Sequence, residues 1–330
     1  MSAEPQAGTE PLLRAAVIGT GYLGRIHAIK YQQLPQVRLV AVVDAQVEQA
    51  RRVGEELSVP YYTDCAAVLP HLDLVTVATP TRSHFAVAEA CLSAGVHVLV
   101  EKPMTTTLAE ADALIALADR AGLVLQVGHL KRFHPAVAAL TRSGLLRQPR
   151  FIEATRLAPF KTRSLDLDVV LDLMIHDVDL ILHLFQSDVV DVDAVGLSVV
   201  TDQVDVANAR LRLQNGCVAN VTASRVAREV SRGLKIFQPD GYFTLNFLDS
   251  RLSFIRRGAE KVFQAGIELS VLEEETLPVQ PYDTLEAEIR AFCTAVRQGG
   301  PIAVSGRDGR RALQVVTMIR QAIYPSGMAE

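Results

Sequence analysis

The chain has 330 residues, with 33 Lys and Arg against 37 Asp and Glu and a formal net charge of −4. At roughly 150 residues per domain, this length predicts two domains. The balanced charge excludes a strongly basic protein that coats nucleic acid, and no apolar run reaches the roughly 18 residues that a membrane span requires. The four cysteines are far apart and the N-terminal residues do not resemble a signal peptide, so we expect a cytoplasmic protein.

The first part of the chain alternates short apolar segments with amphipathic ones. The apolar segments predict five strands, at Ala15–Gly19, Val37–Asp44, Asp73–Pro80, His97–Val100 and Leu123–Gly128. The amphipathic segments predict helices at Tyr22–Gln33, Gln46–Leu57, Ser83–Ala94 and Leu108–Ala121. Continuously apolar strands separated by helices are typical of a parallel sheet covered on both faces. The pattern therefore predicts an α/β Rossmann domain, a doubly wound parallel sheet, over residues 12–145.

The second part, residues 146–330, has a different pattern of predicted elements, in which strands follow one another with short connections. Seven segments read as strands: Phe151–Leu157, Val189–Val200, Val206–Leu213, Cys217–Ser224, Leu234–Gln238, Tyr242–Phe247 and Leu252–Ile255. Helices are predicted near Asp168–Phe185, Leu285–Arg297 and Asp308–Ile323. Short connections with turn signals such as Pro239-Asp240-Gly241 favour hairpins. We expect an α+β domain with a large, mainly antiparallel sheet, and the final helices could pack back on the first domain.

A glycine-rich turn follows the first predicted strand and opens the first predicted helix. Gly19, Gly21 and Gly24 fit the G-x-G-x-x-G pattern, in which the glycines allow a tight turn, a close approach to a pyrophosphate and close helix packing. Asp44 stands twenty residues after Gly24, at the end of the next strand, where an acidic residue accepts hydrogen bonds from the ribose of NAD and repels the 2′-phosphate of NADP. The motif in this context predicts NAD binding.

Ligands of open α/β sheets bind beyond the carboxyl ends of the strands. The residues at those ends include Thr79-Pro80, Glu101-Lys102-Pro103 and Gly128-His129. Lys102 is the lysine among them, a side chain that is positively charged at neutral pH. The alternative interpretation of Lys102 is an ordinary surface lysine that pairs with a carboxylate. We interpret it as an active-site residue.

A second group of candidates lies on the predicted helix Asp168–Phe185. At about 100° per residue, four ionisable side chains fall within ~60° of its surface: Asp172, His176, Asp179 and His183. These four residues form a narrow polar stripe, and the polar face of a helix that faces solvent is normally broader than this. A shared metal site is disfavoured because the stripe is ~16 Å long, so no metal is predicted. We favour an acid–base pair in which His176 exchanges a proton and Asp172 orients it.

Taken together, these motifs resemble the Gfo/Idh/MocA family of oxidoreductases, and the resemblance extends over nearly the whole chain. It implies that Lys102, Asp172 and His176 are catalytic, that the Lys102–Pro103 bond is cis, and that an open-faced second sheet joins subunits into a homodimer or homotetramer. The implied cofactor contacts are Gly19, Gly21, Tyr22, Leu23, Gly24, Asp44, Thr79, Pro80, His84, Glu101, Lys102 and His129. The chain departs from the family pattern at Met174 and Val169-Val170, where many relatives have glycine, so the pocket is expected to differ in shape.

Within the family, the segments 156–161 and 170–184 resemble a branch that oxidises the 3-hydroxyl of UDP-N-acetylglucosamine and supplies amino sugars for lipid A. Arg156, Lys161 and Arg163 cluster before the Asp172 helix and could bind a diphosphate, although an exposed basic loop is an equal alternative. The expected reaction is transfer of hydride from a secondary sugar hydroxyl to NAD, with His176 as base and Lys102 polarising the oxygen, or with these roles exchanged. The alternatives are an inositol or free-sugar dehydrogenase of catabolism and a non-enzymatic NAD-binding sensor.

Overall fold

A computed structural model describes residues 11–162, 167–265 and 267–324. The chain forms two compact units: the first runs to Gly128 and includes Glu288–Gly306, and the second comprises His129–Ala287 and the residues from Arg307 onward. The change between units thus falls earlier than the domain boundary predicted after residue 145. Within the described ranges, no helix combines the length and the apolar character needed to cross a bilayer.

The first unit contains a six-stranded parallel sheet. Its strands are β1 (Leu13–Ile18), β2 (Val37–Val43), β3 (Tyr61–Tyr62), β4 (Leu74–Val77), β5 (His97–Glu101) and β6 (Leu125–Gly128). The spatial order is β3-β2-β1-β4-β5-β6, so the strand order reverses between β1 and β4. This arrangement confirms the predicted doubly wound Rossmann fold. The two-residue strand β3 was not predicted, because both of its tyrosines are exposed and carry no apolar pattern.

The helices of the first unit cover the parallel strands, and one of them has clear signals at both ends. They are α1 (Tyr22–Gln33), α2 (Val47–Leu57), α3 (His84–Ser93) and α4 (Leu108–Ala121), together with most of α7 (Thr284–Gln298). Helix α4 starts with a capping box between Thr107 and Glu110 and ends at Gly122, which has a φ of 65°. The strands they cover are almost entirely buried, as the continuous apolar runs predict.

The second unit contains an eight-stranded sheet in the order β14-β13-β12-β11-β7-β10-β9-β8. The strands are β7 (Phe151–Leu157), β8 (Val189–Leu197), β9 (Val206–Leu213), β10 (Val218–Ser224), β11 (Ser231–Gln238), β12 (Gly241–Asn246), β13 (Arg251–Gln264) and β14 (Ile267–Thr276). Its helices are α5 (Pro135–Ser143), α6 (Ile175–Phe185) and α8 (Gly306–Ile323). Among the described strands, β7 and β10 pair in parallel and the other neighbours are antiparallel. The mainly antiparallel sheet is therefore confirmed.

Three elements of the second unit were not predicted: helix α5, the distal half of β13 and strand β14. The distal half of β13 and the whole of β14 form a hairpin whose residues are mostly exposed, so the hairpin lacks the buried face that a sheet strand normally has. Strand β7, by contrast, alternates strictly between half-buried and buried residues and was predicted with its observed bounds.

The helix predicted at Asp168–Phe185 begins differently from an ordinary α-helix. Residues Val170–Met174 form a turn of π-helix, and α6 continues from Ile175. The buried Asp168 carboxylate accepts hydrogen bonds from the backbone N–H groups of Val170 and Leu171, at 3.0 and 2.9 Å. A π turn places an extra residue between hydrogen-bonded positions, so the assumed 100° spacing does not hold at Asp172. Such turns are frequent at functional sites.

Candidate active site

The glycine turn after β1 is shaped by close backbone contacts. Gly19 has a φ of 91°, and a Cβ there would lie 2.6 Å from the backbone of Ala78 and Thr79. A Cβ at Gly24 would lie 1.7 Å from the carbonyl oxygen of Gly19. A Cβ at Gly21 would meet nothing within 4 Å among the described atoms. The turn therefore needs glycine for its own packing at two positions and leaves open space at the third, as a pyrophosphate cradle requires.

Asp44 lies beside this turn. Its Oδ2 accepts hydrogen bonds from the Thr20 backbone N–H at 2.8 Å and from the Thr20 hydroxyl at 3.0 Å. Its Oδ1 accepts from the Gln46 backbone N–H at 2.9 Å. The next two residues of the predicted cofactor set, Tyr22 and Leu23, have exposed side chains at the start of α1. Asp44 thus fixes the shape of the turn, and its contact with a ribose stays a prediction.

Alanine at Gly21 and alanine at Gly24 are expected to have different effects. Gly21→Ala should leave the melting temperature unchanged, because the turn has room for a Cβ, but should weaken NADH binding at least about tenfold, or ~1.4 kcal/mol, by occupying the space of the pyrophosphate. Gly24→Ala should destabilise the fold by at least ~1–3 kcal/mol, because its Cβ meets a backbone carbonyl. Thermal unfolding and fluorescence titration with NADH measure both. Equal behaviour of the two variants would contradict this account.

The loop after β4 lies against the same turn. Thr79 Oγ1 is buried and has no hydrogen-bond partner among the described protein atoms, which suits a residue that meets a ligand. Pro80 is exposed. His84, the first residue of α3, is 1% exposed, with Nδ1 2.8 Å from the Pro103 carbonyl oxygen and Nε2 2.8 Å from the Thr79 carbonyl oxygen. These contacts are to the protein backbone.

The carboxyl end of β5 carries Glu101, Lys102 and Pro103. The Lys102–Pro103 peptide bond is cis, as expected from the resemblance. His27 on α1 is fully buried, and its Nε2 donates to Glu101 Oε1 at 3.0 Å. Burial alone would raise the pKa of Glu101, but His27 and Lys102 outweigh burial and hold the pKa below its usual value. Lys102 is half-buried, so its ammonium retains access to its surroundings.

Among the described residues, one group has ligand atoms close enough to hold a metal ion. It consists of His27, Glu101 and Glu288, whose candidate ligand atoms lie within 4.8 Å of one another. The His27–Glu101 hydrogen bond already joins two of them. The predicted helix stripe does not form such a group within the described ranges.

In the second unit, Asp172 and His176 are both half-buried. Their stripe neighbour Asp179 is fully buried and receives a bidentate hydrogen bond from Arg132, with Nη2 2.6 Å from Oδ1 and Nε 3.0 Å from Oδ2. Arg132 Nη1 also lies 3.3 Å from Asp308 Oδ1. The stripe therefore divides into an accessible pair and a buried ion pair, and a fully solvent-facing stripe is excluded.

Two histidines flank this ion pair. His129, which directly follows β6, is buried, with Nδ1 3.9 Å from Asp179 Oδ2. His183 at the far end of the stripe is half-buried, and burial, followed by the charge of Arg132, lowers its pKa. The structure therefore gives His129 a carboxylate neighbour within its own unit, and its predicted contact with the cofactor stays a prediction.

Of the predicted diphosphate contacts, Arg156 is buried and forms a bidentate ion pair with Asp177, at 2.8 and 2.6 Å. Its role toward a substrate stays a prediction, since Asp177 occupies two of its donors. Lys161 is exposed in the loop after β7. Arg163 lies outside the described residues.

Sequence reasoning missed a further pair of cations near Arg156. Arg232 lies opposite Arg156 on the neighbouring strand, and burial, followed by the charges of these two arginines, lowers the pKa of Lys131 to about 8. Lys131 Nζ also lies 6.0 Å from the centre of the Phe247 ring. The basic dipeptide Lys131-Arg132, three residues past the end of β6, was the available signal in the sequence.

Comparisons of the sequence with known protein families identify the family of this chain. A sequence profile described as an oxidoreductase family with an NAD-binding Rossmann fold matches residues 13–129, and a profile of the GFO/IDH/MocA C-terminal domain matches residues 136–244. The chain belongs to the Gfo/Idh/MocA family. It is an NAD-binding oxidoreductase, as the glycine turn and Asp44 predict.

Individual relatives extend over almost the full chain. A UDP-N-acetylglucosamine 3-dehydrogenase from Acidithiobacillus ferrooxidans is 46% identical over 94% of this chain and 97% of its own length. A solved structure of the enzyme of that name from the same organism superimposes with a TM-score of 0.87 at 43% identity, covering 95% of this chain and 98% of that one. A myo-inositol 2-dehydrogenase from Thermotoga maritima is 28% identical, covering 91% of this chain and 93% of its own.

Proposed function

We propose that this family member oxidises the 3-hydroxyl of UDP-N-acetylglucosamine with NAD⁺ and forms the 3-keto nucleotide sugar. The single observation that carries the proposal is the 46% identity, over nearly the whole chain, with a dehydrogenase of that name. The first unit supports it with a glycine turn, Asp44 and Lys102 at the carboxyl edge of one parallel sheet. When bound, NAD⁺ accepts the hydride of the alcohol carbon, so that a ketone, NADH and one proton result.

The roles of the three candidate catalytic residues follow from their chemistry. His176 accepts the hydroxyl proton, since imidazole exchanges protons near neutral pH, and Asp172 orients His176 or the substrate. Lys102 donates a hydrogen bond to the same oxygen and stabilises its developing negative charge. The exchange of roles between Lys102 and His176 remains an alternative. Both side chains of the second-unit pair are half-buried, which supports contact with a small molecule.

We further propose that Lys131 and Arg232 contribute, with Lys161, to binding the diphosphate. The positive charges of Arg156 and Arg232 destabilise the protonated form of Lys131, and Asp177 offsets them only in part. A diphosphate in contact with these groups would supply negative charge and relieve that repulsion. A free polyol carries no such charge, so these basic side chains fit a nucleotide sugar better than inositol.

The test is a substrate panel. The purified protein is incubated with NAD⁺ and UDP-N-acetylglucosamine, and separately with myo-inositol, scyllo-inositol and free N-acetylglucosamine, while NADH absorbance is recorded and the product is located by NMR. We expect NADH formation and a 3-keto product with the nucleotide sugar. Turnover restricted to the polyols would assign the inositol dehydrogenase alternative, which the 28% identical relative also suggests. NADH binding without turnover of any substrate would favour the sensor.

The setting of the reaction is also proposed. We infer a cytoplasmic enzyme that supplies amino-sugar precursors for lipid A and forms a homodimer or homotetramer through the exposed face of the second sheet. The four cysteines, Cys65, Cys91, Cys217 and Cys293, are all free thiols in the described structure, which supports a reducing compartment. Exposed Val195 and Leu197 on β8 support a subunit contact on the second unit.

A further inference from the structure

The side chain of His84 lies between two backbone carbonyl groups of the first unit. Nδ1 is 2.8 Å from the carbonyl oxygen of Pro103, and Nε2 is 2.8 Å from the carbonyl oxygen of Thr79. The imidazole is 1% exposed, so water does not compete for either nitrogen. Both distances lie within hydrogen-bond range, and which nitrogen donates depends on the protonation of the ring.

The two carbonyls belong to two different parts of the candidate active site. Thr79 lies in the loop after β4, and its backbone is close to Gly19. A Cβ added to Gly19 would lie 2.6 Å from the backbone nitrogen of Thr79. Pro103 directly follows Lys102. A side chain in contact with both carbonyls therefore connects the dinucleotide turn with the backbone next to Lys102.

The protonation of the ring affects both contacts. A carbonyl oxygen only accepts hydrogen bonds, so a neutral imidazole donates to one of the two and an imidazolium donates to both. Burial and the charge of Lys102 favour the neutral ring, while the two carbonyl groups and Glu101 favour the imidazolium, and burial is the largest of these effects, so the pKa is lowered. Each contact can be removed separately by substitution, because each uses a different nitrogen.

Helix α3 does not need this arrangement for its own formation. His84 is its first residue, the preceding Ser83 makes no side-chain cap, and the imidazole bonds lead away from the helix to positions 79 and 103. A large apolar side chain would fill the same volume without holding either carbonyl. The choice of histidine is thus explained by the two carbonyls that it joins.

We propose that His84 is a positioning residue that fixes Lys102, through the Pro103 carbonyl, relative to the cofactor turn, through the Thr79 carbonyl. This inference rests on the proposed catalytic role of Lys102. His84 touches neither substrate nor cofactor in this scheme. It acts by holding the backbone of the two segments that do.

The test uses two substitutions that each retain one contact. The amide nitrogen of asparagine replaces Nδ1, so His84→Asn keeps the bond to Pro103 and loses the bond to Thr79. The amide nitrogen of glutamine replaces Nε2, so His84→Gln keeps the bond to Thr79 and loses the bond to Pro103. His71→Asn and His71→Gln, at an exposed position of the same unit, are the matched controls.

We expect a split between cofactor affinity and turnover. His84→Asn should weaken NADH binding about tenfold with a smaller loss of kcat, and His84→Gln should lower kcat about tenfold with a change in NADH affinity below about threefold, each tenfold being ~1.4 kcal/mol. A purely structural role would lower both quantities together in both variants, and that result, or wild-type values in both, overturns the proposal.

A measurement on the wild-type protein keeps the inference testable if either variant fails to fold. In protein labelled with ¹⁵N-histidine, we expect at least one His84 ring N–H to be protected from exchange with solvent, and free exchange at both nitrogens would overturn the proposal. If the wild-type protein binds NADH but turns over no sugar, the proposed function fails. The NADH affinity of His84→Asn still tests the Thr79 contact in that case.

Discussion

Lys102→Met is expected to lower kcat by about 10²–10⁴-fold while NADH affinity changes by less than about threefold. Methionine has nearly the length of lysine, so the substitution removes the ammonium group and retains most of the volume. The proposed hydrogen-bond donor to the reacting oxygen is then lost, whereas the glycine turn and Asp44 remain intact. Initial-rate kinetics with the substrate identified in the panel, together with NADH titration, measure the two effects.

The control for this substitution is Lys30→Met. The Lys30 ammonium donates to Gln33 on the exposed side of α1, and its removal should leave kcat unchanged. A Lys102→Met enzyme with wild-type turnover would refute the catalytic role. The pH dependence of kcat in Lys102→Met and in His176→Asn then distinguishes the two roles, because the variant that loses the proton acceptor loses the corresponding limb of the profile.

Arg132→Met is expected to destabilise the protein by ~3–5 kcal/mol. The Asp179 carboxylate is fully buried, and Arg132 supplies its bidentate hydrogen bonds. Removal of the guanidinium leaves a buried carboxylate without its cation, which costs far more than the loss of an exposed pair. Urea unfolding followed by circular dichroism gives the free energy.

Arg311→Met is the matched control for Arg132→Met. Arg311 donates from Nε and Nη2 to one carboxylate oxygen of Asp188, but both side chains are substantially exposed, so a loss of only about 0–1 kcal/mol is expected. In the double variant Arg132→Met/Asp179→Leu, much of the lost stability should return, because no buried charge remains. A double variant as unstable as Arg132→Met alone would show that packing by Arg132, and not the charge of Asp179, is responsible.

The features that the sequence predicted correctly are determined by local pattern. The parallel sheet followed from continuous apolar strands, and NAD binding followed from a glycine turn and an acidic residue that are near one another in sequence. Lys102 was chosen as a candidate because the carboxyl ends of parallel strands lie at one edge of a sheet, and its catalytic role stays a prediction.

The features that escaped prediction depend on residues distant in sequence. Arg132 and Asp179 are 47 positions apart, and Arg156 and Asp177 are 21 apart. Periodicity identified Asp179 as part of a polar stripe but could not supply its partner, so a buried ion pair was grouped with the accessible Asp172 and His176. The π turn at Val170–Met174 was not predicted either, because an apolar repeat does not distinguish a π turn from the α-helix that follows it.

The first unit is not continuous in the chain, and this has consequences for its synthesis. Beside β6, the Val127 backbone N–H donates to the Val304 carbonyl at 3.0 Å, and Gln126 bridges to Ser305. Residues that follow β6 by more than 170 positions thus cover one border of a sheet whose strands all lie within the first 128 positions. On the ribosome that border stays uncovered until residues 304–305 emerge, and a fragment that stops before them would keep it open to unwanted strand pairing.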